Sequence, residues 1–401
     1  MSKCTLCGNK KNINVIYEVE NVFVSSDLFD MQPYNSHQRH YAKGTCDIQL
    51  CQCSQCGFLF NNKFNLDEII KAYSSTKYYQ QKNFTDQLSK HILDTAKKIL
   101  SYINDKKDNC IAEIASGQGD LLRALSKHVG FIYSIDPSPI SNNIKNIQNV
   151  EHVQTFFDYE SMKKRVKKDI DLIICRHVIE HIGNPGDVLR DIVKLLNEDG
   201  ILYIEVPDIV EIIKNMRYYE LYHDHCGYYQ PSTIIKFMEE IGCEFLERVT
   251  YFNEQHQGFF FKKKVDVKKT HFDQHCIYDK TIGDNFKNIC KKINVMLEKY
   301  NSVAIYGAGV HANTFINLIS EGNLRKICRA FDANSEKHGK FLQNSNIMIC
   351  EPTEQNLKDI DCIIMIMPIC EDVVYENEIK NFINTGIFSG DVIKTVNCSL
   401  L

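Results

Sequence analysis

Apolar residues along this chain alternate between two patterns. Short continuous runs at 110–114, 131–136, 150–156, 168–175 and 200–207 read as buried strands. Between them lie stretches with apolar positions at helical spacing, around 141–146 and over 185–196. Ahead of the first strand, Leu88, Ile92, Leu93, Ala96, Ile99, Leu100 and Ile103 place a lead-in helix over 86–103, and residues 66–73 form a shorter one. Strands that alternate with helices predict a parallel sheet covered on both faces, with ligands at the carboxyl ends of the strands. Glu113, Asp136, Asp158 and His177 all fall at such ends and are expected to converge there. After this unit, 234–246 reads as a helix and turn, 259–261 as a strand, the lysines at 262–264 and 268–269 as an exposed linker, and 282–300 as a long helix. At 303–314 strand, glycine loop and helix begin again, which gives an α/β chain with two nucleotide-binding shapes.

The first glycine loop carries the chemistry. The strand ends in Glu113 and passes through Ser116, Gly117 and Gly119 into a helix, where glycines allow close backbone approach and the helix start offers free N–H groups. A dinucleotide fingerprint requires a small residue three places after the second glycine, and Leu122 stands there instead. Glu113 would oppose a pyrophosphate but suits an ammonium. S-adenosylmethionine has an ammonium and no phosphate. Asp136, about twenty residues on, is placed to accept from two ribose hydroxyls. The second loop, Gly307-Ala308-Gly309, does have the small residue, Ala312, and an acid in the right place, Asp332. Taken alone it reads as an NAD site, so an oxidoreductase is the rival enzyme reading.

The 401 residues suggest two or three domains. A net charge of −4 with no polybasic tail gives no sign of nucleic acid or anionic membrane as a partner, and the basic run 163–168 reads as a solvated helix face. No apolar run is long enough to span a bilayer and the first residues do not resemble a signal peptide, so a cytoplasmic protein is expected. Most of the 17 cysteines then read as reduced packing residues. Four do not. Cys4-Thr5-Leu6-Cys7-Gly8 and Cys53-Ser54-Gln55-Cys56-Gly57 are two C-x-x-C-G knuckles, which together supply a tetrahedral thiolate site for a structural zinc; Cys46 and Cys51 are the spares.

Just beyond the sheet, Tyr218, Tyr219, Tyr222, His223, Asp224, His225, Tyr228 and Tyr229 crowd titratable and phenolic groups where a core would favour aliphatics. With the knuckles, 176–182 (Arg-His-Val-Ile-Glu-His-Ile), Asn184-Pro185 and 204–207 (Ile-Glu-Val-Pro), this segment resembles the bacterial sugar C-methyltransferase family. The resemblance covers nearly the whole chain. It implies a zinc-binding N-terminal module (1–65), a class I methyltransferase Rossmann-like domain (66–262) and a second Rossmann-like domain (263–401) that holds a nucleotide sugar. The implied reaction is S-adenosylmethionine-dependent C-methylation of a nucleotide-linked 4-keto deoxysugar through an enolate, with O- or N-methyl transfer and a non-catalytic binding scaffold as alternatives. His225 is the expected base, and Tyr222 and Asp224 are expected to position it and the sugar. By the same resemblance a tyrosine of the Tyr78-Tyr79 pair, taken as Tyr79, closes over the substrate. Family members usually have glutamate at 224 and serine at 227, where this chain has Asp224 and Gly227. His177 is expected beside the cofactor methyl, His181 to be structural, and the protein to be a monomer or small homo-oligomer.

Overall fold

A computed structural model describes residues 3–24, 29–33, 45–73, 86–103, 108–264, 275–343, 345–396 and 399–400. At its centre is a seven-stranded sheet in the order Cys243–Tyr251, His256–Lys263, Leu196–Pro207, Ile170–Arg176, Cys110–Ile114, Phe131–Ile135, Val150–Val153. The last five run parallel, and His256–Lys263 is antiparallel to both of its neighbours. Strands buried on both faces explain the unbroken apolar runs. Ile111 and Leu172 face one core with Leu122 and the helix Asp86–Ser101, while Ala112 and Ile173 face another with Leu189 and Ile192 of the helix Pro185–Leu195. Leu122 is fully buried against its own sheet, which is why that place need not be small here.

The stretch 234–246 departs from expectation. Its helix, Pro231–Glu240, stops before Gly242, whose φ of +93° no β-carbon tolerates well, and the chain turns into the edge strand Cys243–Tyr251. The strand expected over 150–156 ends at Val153, and the helix expected around 141–146 is a 3₁₀ helix, Pro139–Asn146.

Residues 1–65 are not self-contained. Their sheet, Ile13–Phe23, Thr45–Cys53 and Leu59–Asn61, is completed by Gly227–Tyr228 from the tyrosine-rich segment. Phe29–Asp30 instead pairs with Phe341–Leu342 at the edge of the third sheet, an eight-stranded one built around Val303–Tyr306. A single apolar cluster runs from Ile16 and Ile48 through Ile212 and Tyr219 to Phe286 and Phe315, so the N-terminal and third sheets share a core, while Cys51 and Phe60 join the N-terminal sheet to a core of the central one. The tyrosine-rich segment lies where they meet. Among the described residues no helix is long and apolar enough to cross a membrane.

Candidate active site

The first glycine loop is held open by its own acid. Ala115, Gly117 and Gly119 take φ values of +59°, +53° and +80°, and the Gly117 N–H donates to Asp136 Oδ2 at 2.7 Å while the Ser138 N–H donates to Oδ1 at 2.8 Å. A β-carbon on Gly119 would meet Ile144 Cγ1 at 2.7 Å. Asp136 thus shapes the cradle as well as facing it. Ser116 turns inward: its hydroxyl donates to the Glu113 carbonyl and accepts from Ser134, so it braces the loop and leaves ligand contact to the backbone. Glu113 is 3 % exposed, its Oε2 has no hydrogen-bond partner among the described residues, and burial pushes its carboxyl up to about 8. An orphaned buried carboxylate oxygen beside a glycine cradle fits a ligand ammonium. Asp158 does not join this group. It is exposed and spends its carboxylate capping the helix Tyr159–Arg165 through the Ser161 N–H, at 2.8 Å.

Next to the cradle, Glu205 is a fully buried hub. It accepts from Arg176 Nε (2.8 Å), Tyr203 Oη (2.7 Å), His91 Nε2 (2.7 Å) and His177 Nε2 (3.1 Å). Burial opposes its charge, yet Arg176 and the histidines hold the carboxyl well below its ordinary value. His177, at φ +48°, answers from the other side: burial opposes its charge too, but Glu180, 3.5 Å from Nδ1, and Glu205 raise it to about 9. The imidazole of His256 lies 4.8 Å from that of His177.

From His177 the polar side chains continue toward the third sheet. Glu180 is buried with Oε2 unpartnered among the described residues. One ring nitrogen each of His181 and His225 lies within 4.8 Å of a Glu180 oxygen and of one another. The His225 ring packs edge-on at 4.7 Å from His181 and 4.8 Å from Tyr222, and beyond Tyr222, at 6.1 Å, stands His311 from the second glycine loop. His225 is buried with Nδ1 unpartnered, and burial, reinforced by His181, His177, His256 and His311, keeps it well below its usual value and neutral. Asp224 is buried beside it, and its carbonyl accepts from His181 Nδ1 at 3.0 Å. His181 therefore belongs to the cluster and is not a remote structural residue.

His223 faces the other way. Its Nδ1 meets the Asp47 carbonyl of the N-terminal sheet at 2.9 Å and its Nε2 accepts from the Asn65 N–H, just before the helix Leu66–Tyr73, at 3.2 Å, so both ring nitrogens are engaged. Of the two histidines around Asp224, only His225 has an unpartnered nitrogen. Tyr79 lies outside the described residues.

The second glycine loop is arranged differently. Lys337, 5 % exposed, donates to Asp332 Oδ2 at 2.7 Å and to the Ala308 carbonyl at 2.9 Å, and the Asn334 N–H takes Oδ1. Where Asp136 meets backbone N–H groups, Asp332 is ion-paired by a buried lysine from its own loop. What this loop delivers to the site is His311.

In the N-terminal sheet region Cys4, Cys7, Cys53 and Cys56 come together, with sulfurs 3.6 Å (Cys4 and Cys56) and 3.8 Å (Cys7 and Cys53) apart. Four thiolates at the usual zinc–sulfur distance sit about 3.8 Å apart, so the residues fit the metal. Gly8 and Gly57, at φ +80° and +77°, close the two knuckles.

Sequence reasoning assigned no role to Glu180, Glu205, His91, His256 or His311. The one local signal was Glu205, a charge within an apolar run, which has to find partners.

Residues 82–248 match the family model described as a methyltransferase domain, and residues 259–389 match the one described as a C-methyltransferase C-terminal domain. The chain is similar to the C-methyltransferase NovU of Streptomyces niveus, 20% identical over 330 residues that cover 74% of this chain and 78% of that protein. It is also similar to the ubiquinone biosynthesis O-methyltransferase of Glaesserella parasuis serovar 5, 24% identical over 201 residues, 44% of this chain and 84% of that one. Among solved structures, the N-methyltransferase NodS from Bradyrhizobium japonicum in complex with S-adenosyl-L-homocysteine covers 49% of this chain and 97% of its own, at 13% identity and a TM-score of 0.36.

Proposed function

Because this chain belongs to the bacterial S-adenosylmethionine-dependent C-methyltransferases, we propose that it methylates the carbon next to the ketone of a nucleotide-linked 4-keto deoxysugar. One observation carries the reading: a buried, neutral His225 whose ring packs 4.7 Å from His181 and 4.8 Å from the Tyr222 ring. A neutral imidazole can accept a proton, and burial lets nearby groups act on it without screening by water.

His225 removes the proton next to the carbonyl, and the bond's electron pair becomes an enolate. The Tyr222 hydroxyl donates to the enolate oxygen, while Asp224 helps fix the His225 loop. When bound, S-adenosylmethionine supplies a sulfonium methyl, which the enolate carbon takes as the carbon–sulfur bond breaks. Glu113 would hold the cofactor ammonium, Asp136 the ribose hydroxyls, and the backbone of 115–119 the carboxylate. His177, fixed by Glu180 and Glu205, closes the cofactor side. His225 finally returns its proton to water. In the same reading, one zinc on Cys4, Cys7, Cys53 and Cys56 staples the N-terminal sheet onto which Gly227–Tyr228 is paired, and so holds the His225 segment in place.

A panel of nucleotide-linked 4-keto sugars, incubated with S-adenosylmethionine and followed by mass spectrometry, is expected to contain one that gains a single methyl, located on carbon by NMR. A methyl found on oxygen or nitrogen, or no gain on any keto sugar, overturns the proposal.

A further inference from the structure

The mechanism leaves two buried atoms unexplained. Glu180 Oε2 and His225 Nδ1 have no hydrogen-bond partner among the described residues, one is an acceptor, and the other can carry a proton. They belong to side chains that each bring one ligating atom within 4.8 Å of the other's, so a modest side-chain adjustment can pair them. Catalytic hydrogen bonds are often long before substrate arrives and shorten in the complex.

We propose that Glu180 is the positioning partner of His225: it accepts the Nδ1–H and so presents Nε2 to the substrate as the base. This rests on the reading of His225 as base. The other neighbours are already engaged. His181 directs Nδ1 at the Asp224 carbonyl, and the Asp224 carboxylate stands 4.0 Å from that same nitrogen. Glu180 Oε1 faces His177 Nδ1 at 3.5 Å, which leaves Oε2 for His225. His177, His181, His256 and His311 all disfavour charge on His225, and the Tyr222 and Tyr228 rings pack against it. A histidine so disfavoured as a cation is a weak base, and a buried carboxylate on Nδ1 both sets the tautomer and stabilises the imidazolium that proton removal creates. Because Glu180 touches His177 with one oxygen and His225 with the other, it would join the cofactor side of the site to the substrate side.

The test uses the full chain and the keto sugar found above, with turnover measured against pH for wild type, Glu180→Gln, His225→Gln and the double variant. Glu180→Gln is expected to lower kcat about 10²-fold with KM for the sugar changed less than about threefold, and to move the acid limb of the kcat profile about one unit lower. Glu180→Asp should recover part of the loss. The double variant should be no slower than His225→Gln, because the two act as a unit. An unshifted acid limb, or a double variant that multiplies the two losses, overturns the pairing. So does a second metal, beyond the four-cysteine site, whose removal abolishes turnover, since Glu180, His181 and His225 would then be ligands. Should Glu180→Gln fail to fold, ¹⁵N-histidine NMR of the wild type with sugar and S-adenosylhomocysteine decides: a proton on His225 Nδ1 is expected, and a bare Nδ1 overturns it. Failure of the base reading shows separately, as His225→Gln retaining turnover.

Discussion

Cofactor binding should move a proton, and Glu113 sets how much. With its carboxyl pushed up to about 8 by burial, Glu113 is about nine-tenths protonated at pH 7 in the empty site. An ammonium placed against Oε2 favours the carboxylate, so binding S-adenosylhomocysteine at pH 7 should release close to one proton per site, about 0.9. The amount should drop to about 0.1 at pH 9, where the empty site is already ionised. Affinity should rise with pH up to about 8 and then level off. Stability of the empty protein should follow the opposite course. Glu113 is raised above its usual 4.5, so the folded chain keeps a proton that the unfolded chain gives up, and this contribution is lost as pH climbs from 4.5 toward 8. Calorimetric titrations at pH 7 in phosphate and in Tris, which differ in ionisation enthalpy, measure the release directly. Wild type should show a strong buffer dependence and Glu113→Gln almost none, together with weaker binding. A buffer-independent enthalpy in the wild type, or unchanged affinity and pH dependence in Glu113→Gln, refutes the ammonium assignment.

Further outcomes follow from the same geometry. Asp136→Ala should weaken S-adenosylhomocysteine binding about tenfold or more and also lower the melting temperature of the empty protein, because the carboxylate holds the N–H groups of Gly117 and Ser138; unchanged affinity would place the ribose elsewhere. Freshly purified protein should contain one zinc per chain by metal analysis, and Cys4→Ser with Cys56→Ser should lose it along with thermal stability; full zinc retention would contradict the four-cysteine site. His223→Gln should lower stability through its lost bonds to Asp47 and Asn65 while proton exchange on the sugar persists, whereas abolished exchange in a folded His223→Gln would move the base.

Much of the central sheet could be read from the chain because strands buried on both faces are spelled as continuous isoleucine and leucine runs. The cofactor loop was legible for a similar reason, since glycines at positive φ and an acid at each strand end are local requirements. The knuckles combine short-range signals and meet as expected. What escaped depends on contacts between distant segments. His311 sits in what looks like an NAD loop, and only the third sheet's placement against Tyr222 gives it a role. Lys337, which fills that loop, has no sequence mark that sets it apart from a surface lysine. Glu180 stood only as one letter of the 176–182 run, with nothing local to give it a role. The capping role of Asp158 was legible too, because an Asp at the start of a helix is a cap signal. What separates His223 from His225 is also long-range, since Asp47 and Asn65, far off in the chain, hold both ring nitrogens of His223.

The central claim is that His225 takes a proton from carbon, and solvent exchange tests it without any methyl transfer. The keto sugar, held in deuterium oxide with S-adenosylhomocysteine and the enzyme, should take up deuterium at the carbon next to the ketone. His225→Gln, with cofactor binding intact, should slow that exchange about 10²- to 10⁴-fold. Wild-type enzyme that methylates the sugar without exchange above the enzyme-free rate, or exchange undiminished in His225→Gln, would contradict the account.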